Sequence, residues 1–111
     1  MVVEIRTYKL KTGTAGTFEK VFTEQSLPMM KRWQLDVVGY GFSLDDAETF
    51  TLMRAYRDLD DRQKSQDAFY GSDEWKNGPR EAILACIDYS TCMITETNTE
   101  ILRKALKMGK V

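Results

Sequence analysis

Near the middle of the chain two segments rich in β-formers, 36–44 and 48–57, are joined only by Asp45-Asp46-Ala47. A connection that short leaves one arrangement, an antiparallel hairpin, because a parallel return needs a dozen residues or more. Whatever fold the chain adopts must be built around that hairpin. On its N-terminal side, residues 2–10 alternate and favour extended backbone, so they read as a strand. Lys11-Thr12-Gly13 turns the chain, and Thr14 is placed to cap a helix through its hydroxyl. Phe18, Val21, Phe22, Gln25, Met29 and Trp33 then fall on one mostly apolar helical stripe. Pro28 lies inside that stripe; it removes a hydrogen bond and crowds the preceding turn, so a kink is predicted over 24–28.

The C-terminal side repeats the scheme. Asp58, Asp60 and Asp61 cluster where the positive end of a helix dipole would sit. The helical region runs to about Gly71. Ser72 is placed to cap the turn holding Glu74 and Trp75, Gly78 interrupts the chain, and Pro79 suits the first position of a last helix ending near Ile87. Residues 88–96 form a fourth strand. Thr97-Asn98-Thr99-Glu100 reads as a capping box that opens a short tail helix to about Lys107. The order is β-α-β-β-α-β, the split βαβ pattern. It predicts an α+β, ferredoxin-like sandwich over residues 1–97, a four-stranded antiparallel sheet with helices on one face, followed by a helical tail over 98–111.

A sheet covered on one face should be polar on one parity of each strand. Here both parities carry apolar residues: Val3 and Ile5 against Val2, Tyr8 and Leu10; Leu35 and Val37 against Val38, Tyr40 and Phe42; Met53 and Ala55 against Phe50, Leu52 and Tyr56. Helices cover only one face, so a second copy of the sheet is the expected cover of the other, giving a homodimer. Aspartate at Phe50 or Tyr56 is expected to split or unfold it.

Composition excludes several function classes. The 111 residues suit one domain with a modest core. The net charge of −1 gives no basis for nucleic-acid binding. The chain has no histidine, which removes Ser-His-Asp and Cys-His catalysis, imidazole ligation of zinc or haem, and an imidazole base. No metal and no cofactor is expected. Asp58, Asp60 and Asp61 lack calcium-loop spacing and read as helix-start acids. Cys86 and Cys92 are too few for a disulfide scaffold and read as free thiols. The charged N-terminus is unlike a signal peptide, and no apolar run reaches membrane-spanning length, so a cytoplasmic protein is expected.

Candidate site residues come from the strands. Glu4, Arg6 and Tyr8 share a face of the first strand, and Arg54 and Tyr56 share a face of the third. In the ferredoxin-like order these strands are neighbours. Coincident faces would gather two arginines and two tyrosines, a pocket for a small anionic or oxygenated ligand. The plainer reading is a structural ion-pair network at the dimer seam, with Glu4 or Glu96 neutralising the arginines. Trp33, Tyr40, Phe69, Tyr70 and Trp75 either line an aromatic cavity between helices and sheet or simply fill the core. Gly39 and Gly41, flanking Tyr40, either leave room for a ligand or mark a bulge.

These residues carry a resemblance. Glu4-Ile5-Arg6-Thr7-Tyr8 followed by Lys11 and Gly13 resembles the opening signature of the NIPSNAP family. Leu27-Pro28-Met29, Val37-Val38-Gly39-Tyr40, Arg54-Ala55-Tyr56 and Ser72-Asp73-Glu74-Trp75 are similar to later parts of it. The resemblance covers residues 2–95 and implies the dimeric α/β-barrel group, in which two sheets pack face to face. It implies no catalytic residues. Animal relatives are linked to mitochondria and to recruitment of other proteins. Wider relatives include cofactor-independent monooxygenases, dehydratases and haem enzymes, the last commonly relying on histidine. The expected function is that of a NIPSNAP-like dimeric barrel binding a small, partly apolar or anionic ligand at Arg6, Tyr8, Trp33, Tyr40, Arg54, Tyr56 and Trp75. The alternatives are a cofactor-independent monooxygenase or isomerase, with Arg6 and Arg54 holding an oxyanion and Tyr8, Tyr40 or Tyr56 delivering a proton, and a non-catalytic protein-interaction module.

Overall fold

The computed structural model describes residues 1–98, Glu100 and Lys104. The hairpin forms as expected, β2 (Asp36–Phe42) with β3 (Thr49–Tyr56), and joins β1 (Val2–Leu10) and β4 (Ile87–Glu96) in one antiparallel sheet ordered β2-β3-β1-β4. Helices α1 (Ala15–Val21) and α2 (Leu27–Arg32) make the first crossover. The second is made by α3 (Leu59–Tyr70), α4 (Asp73–Lys76) and α5 (Arg80–Cys86). This is the ferredoxin-like α+β sandwich.

The turn after β1 uses Gly13 at φ 82°, a conformation costly for any residue with a Cβ. Thr14 does not cap α1 in the expected way. Its hydroxyl donates to the carbonyls of Lys11 (2.7 Å) and Cys86 (3.1 Å), tying this turn to the end of α5. The Pro28 kink is a π-helical turn over Phe22–Ser26. Pro28 has no N–H to offer the Glu24 carbonyl, and the ladder widens so that the Leu27 N–H reaches the Phe22 carbonyl. The extra residue rotates everything beyond it. The expected stripe therefore breaks at Gln25, which is exposed, while Ser26 and Met30 turn inward.

Phe50 is the hub of the core. Its ring centroid lies 5.0 Å from those of Phe18 and Phe22 and 5.1 Å from Phe42. Phe50 and Tyr56 thus face the helices rather than a second sheet, so aspartate there tests folding and not dimerisation. A second correction concerns β2. A bulge between Val37 and Gly39 brings Val37, Tyr40 and Phe42 all opposite the helix-facing residues Arg54, Leu52 and Phe50. The other parity of β2 is left to Gly39 and Gly41, opposite Met53 and Thr51. The outer face of the central strands carries Val3, Ile5, Thr7, Thr51, Met53 and Ala55.

Ser72 caps α4 by accepting the Trp75 N–H at 3.1 Å, as the sequence predicts, and of the acids expected at the start of α3 Asp58 is the one that caps it, accepting the Asp61 N–H at 2.8 Å. At the chain end Asn98, rather than Thr97, accepts the Glu100 N–H, at 2.9 Å. The rest of the predicted tail helix lies outside the described residues.

Candidate ligand cavity

The strand register settles which side the arginines take. Glu4 pairs with Arg54 across β1 and β3, so Glu4, Arg6, Tyr8, Arg54 and Tyr56 share the helix-facing side. The network therefore sits beneath α3, not at an outer seam. Glu4 and not Glu96 neutralises it; Glu96 is exposed at the end of β4.

The capped α3 presents Arg62, Gln66 and Tyr70 at four-residue spacing, one ridge directed at the sheet. All three join the network. Glu4 Oε1 accepts from Arg54 Nη2 at 2.7 Å. Glu4 Oε2 accepts from Arg62 Nε at 2.7 Å, from Gln66 Nε2, and from Arg6 Nη2 at 3.3 Å. Arg54 Nη1 donates to the Tyr70 hydroxyl at 2.8 Å, and its guanidinium carbon lies 5.6 Å from the Tyr70 ring centroid. Gln66 Nε2 also donates to the Tyr56 hydroxyl at 3.2 Å. The charge-assisted bonds around Glu4 hold α3 on a sheet to which it contributes little apolar surface besides Phe69.

Electrostatics follow from this geometry. Burial pushes the Glu4 carboxyl up, but the Arg54 charge and hydrogen bond, with Arg6 and Gln66, outweigh it and hold the group at about 2. Burial also works against the Arg54 charge, yet the nearby tyrosines and Glu4 raise its pKa further. Burial pushes the Tyr8 and Tyr56 phenols above their ordinary value, so both are neutral at pH 7. Among the described residues Glu4 is the one carboxylate paired with Arg6, Arg54 and Arg62.

Beside the network lies a half-open cavity of about 300 Å³ between the sheet and the helices. Arg6 and Tyr8 reach it from β1. Phe18, Phe22 and Met30 wall one side, Tyr70, Trp75 and Ile83 the other. The exposed Arg80, Leu84 and Ser90 mark its mouth. Ser26, turned inward by the π-helical turn, also lines it. Of the residues singled out in the sequence, Arg6, Tyr8, Tyr70 and Trp75 meet in the cavity. Arg54 and Tyr56 belong to the network behind it. Trp33 and Tyr40 belong to neither. Trp33 stacks edge-on to Phe69 and donates its Nε1–H to Glu74 at 2.8 Å, the bond that, ahead of Arg32, lowers the Glu74 pKa. Tyr40 packs on Phe22, 5.3 Å between centroids, and is 47% exposed. Reading the strands alone misses Arg62, Gln66, Ser26 and Arg80. The first two carry a visible signal, a polar i, i+4, i+8 ridge with Tyr70 on a helix that must dock on a sheet.

Cys86 is buried in the core and Cys92 is exposed; both are free thiols. Among the described residues no group of three or more His, Cys, Asp or Glu could hold a metal ion, and no helix is long and apolar enough to cross a membrane.

Comparison with known proteins places this geometry. The NIPSNAP family matches residues 3–100. A NIPSNAP family protein of unknown function from Agrobacterium tumefaciens is 26% identical, with a TM-score of 0.80 over 87% of each chain. A NIPSNAP domain protein from Burkholderia xenovorans superposes with a TM-score of 0.79 at 17% identity, covering 88% of this chain and 95% of its own. An antibiotic biosynthesis monooxygenase shares the fold at a TM-score of 0.69 and 12% identity, covering 88% of this chain and 99% of its own. No curated protein matches the chain.

Proposed function

The chain belongs to the NIPSNAP family, and from that premise we propose that it works as a homodimer whose subunits each bind a small, partly apolar or anionic molecule in the cavity beside Arg6. The observation that carries the reading is the juxtaposition of a buried arginine network with a roughly 300 Å³ space walled by aromatic and aliphatic side chains. Ligand sites combine these features, an apolar enclosure with a few placed polar groups. The outer sheet face supports the dimer. Its open apolar part is the half-buried Ile5 and Met53, beside a groove of about 510 Å³ bounded by Val38, Gly39, Gly41, Thr51 and Met53; Val3 and Ala55 on the same face are already buried within the single chain. Met93 of β4 lies on the same face and is 57% exposed. The occupant this surface suits is the same face of a second copy, since a two-fold interface pairs one patch with itself and Ile5, Met53 and Met93 would then meet their own counterparts. Free thiols at Cys86 and Cys92 accord with the reducing cytoplasm.

A second reading is cofactor-independent catalysis in the same space. It is favoured by the placement of Tyr8 beside Arg6 in the cavity: burial keeps the phenol protonated, so its O–H can donate a hydrogen bond to a developing oxyanion next to a fixed positive charge. The test of the shared premise is a fragment screen by NMR on the native protein and on Ile83→Trp, which fills the cavity. Fragments shifting the amides of Phe22, Ser26 and Ile87 in the native protein, and lost in the variant, support the reading. A screen in which no fragment moves those amides overturns it.

A further inference from the structure

From the charge balance and the unpaired polar atoms of the cavity, we infer that its ligand is a small carboxylate with a compact hydrocarbon body and a second oxygen, its carboxylate held by Arg6 and its second oxygen by Ser26. This rests on the ligand-binding reading and adds the chemical class and the orientation.

Two atoms carry it. Ser26 is 1% exposed, lines the cavity, and its Oγ has no hydrogen-bond partner. A hydroxyl in a helix ordinarily bonds back to a carbonyl one turn earlier, as Thr23 does to Glu19 at 2.8 Å. For Ser26 that carbonyl belongs to Phe22, which accepts the Leu27 N–H, and Ser26 Oγ makes no such bond. The π-helical turn places Ser26 on the buried side. A buried polar group left unsatisfied costs free energy, which a ligand oxygen would recover. The second atom is Arg6 Nε, also buried and without a partner. Arg6 is the most loosely held of the three arginines on Glu4, at 3.3 Å against 2.7 and 2.6 Å for Arg54 and Arg62.

The charges select the ligand's sign. Three guanidinium groups share the single Glu4 carboxylate, an excess of two positive charges beside a low-dielectric space. An anion is favoured there and a cation repelled. A planar carboxylate matches an arginine edge. Arg80 adds a further positive charge at the mouth. The walls, Phe22, Met30, Trp75 and Ile83 among them, suit a ring or a short branched chain. A volume of about 300 Å³ is at the low end of ligand pockets and too small for a long-chain fatty acid.

The test titrates the full chain with 3-phenylpropanoate, its 2-hydroxy derivative and the neutral 3-phenylpropanamide, following amide shifts by NMR. The acid should bind at least about tenfold more tightly than the amide, the worth of one charge-assisted bond over a neutral one. The hydroxy acid should bind more tightly than the plain acid, and Ser26→Ala should erase that difference alone. Arg6→Gln should erase the preference for acid over amide, while Arg6→Lys, which keeps the charge, should retain part of it and guards against misreading a folding defect. Equal binding of acid and amide in the cavity would overturn this inference and leave the ligand-binding reading standing. Failure of all three probes at millimolar concentration would overturn the inference, and the fragment screen then decides the broader reading by itself.

Discussion

Glu4 Oε1 and Arg54 Nη2 lie 2.7 Å apart, on facing positions of the two central strands, with both side chains wholly shut off from solvent. A pair in that setting is costly to break from one side, because the survivor is left charged and dry. Glu4→Gln strands three guanidinium groups at once. It should lower stability by about 3–5 kcal/mol in urea unfolding. Arg54→Met should cost less, because Glu4 keeps Arg62 at 2.6 Å and Arg6 at 3.3 Å and the methionine fills part of the space. The opposite ranking would show that Glu4 is not the centre of the network.

The same carboxylate sets an acid limit. Its pKa stands at about 2 in the folded chain against 4.5 as an ordinary glutamate, so the folded state binds the proton less readily than the unfolded state. A depressed carboxylate contributes stability that is fully present above about 4.5 and disappears as pH falls towards 2. Across that window stability should fall by up to about 1.4 kcal/mol per pH unit for this group. Asp46, held at about 2 first by its bond from Lys9 and then by the Glu48 N–H and Thr49, titrates in the same range. The Glu4 contribution is therefore the difference between native protein and Glu4→Gln in urea midpoints from about pH 2.5 to 5.5. Parallel profiles for the two would assign the acid sensitivity elsewhere.

Much of this was legible before any coordinates. The short connection around Asp45-Asp46-Ala47 dictates the hairpin, although the strands stop sooner and leave a six-residue loop over 43–48, and Ser72 caps where its side chain suggests. Strand parity groups Glu4, Arg6 and Tyr8 on β1 and Arg54 and Tyr56 on β3, but it leaves the register free, and the pairing of Glu4 with Arg54 is what brings the two groups to one face. What escaped was each place where one residue is inserted into a regular period. The π-helical turn before Pro28 moves Ser26 and Met30 inward, and the bulge at Val38 moves Tyr40 and Phe42 to the helix side. Pro28 announces a disturbance but not that it would be resolved by widening the turn. Nothing local marks the bulge except Gly39. The cavity depends on the first insertion, which brings Ser26 and Met30 to its wall, whereas no residue of β2 lines it.

The docking of α3 gives a third expectation. Its N-terminus is fixed by Asp58, and four residues further on begins the ridge Arg62, Gln66, Tyr70. Asp58→Ala should cost about 1 kcal/mol, the usual worth of a cap. Because the first turn carries Arg62, the loss should reach the network as well. In a double-mutant cycle with Arg62→Met, the two losses should sum to more than the double mutant shows, since both act through the same turn. Strict additivity would mean that the cap and the ion pair stabilise α3 independently.

The outer sheet face gives the last. Ile5 and Met53 are paired across β1 and β3 on that face, and Met93 of β4 is paired with Ile5 from the other side. Together they form an apolar strip across three strands, on the side away from Phe50 and the helices. Aspartate at Met53 would bring a charge into a sheet-to-sheet seam but leave the core of the subunit untouched. Phe50→Asp would put the charge against Phe18, Phe22 and Phe42 inside the subunit. Light scattering of the native protein should give twice the chain mass, and Met53→Asp should give a folded single chain with an unchanged far-ultraviolet circular dichroism spectrum. Phe50→Asp should instead lose the spectrum itself. A native protein at the mass of one chain in dilute solution would refute the dimer. A Met53→Asp variant that stays dimeric would move the interface off this face.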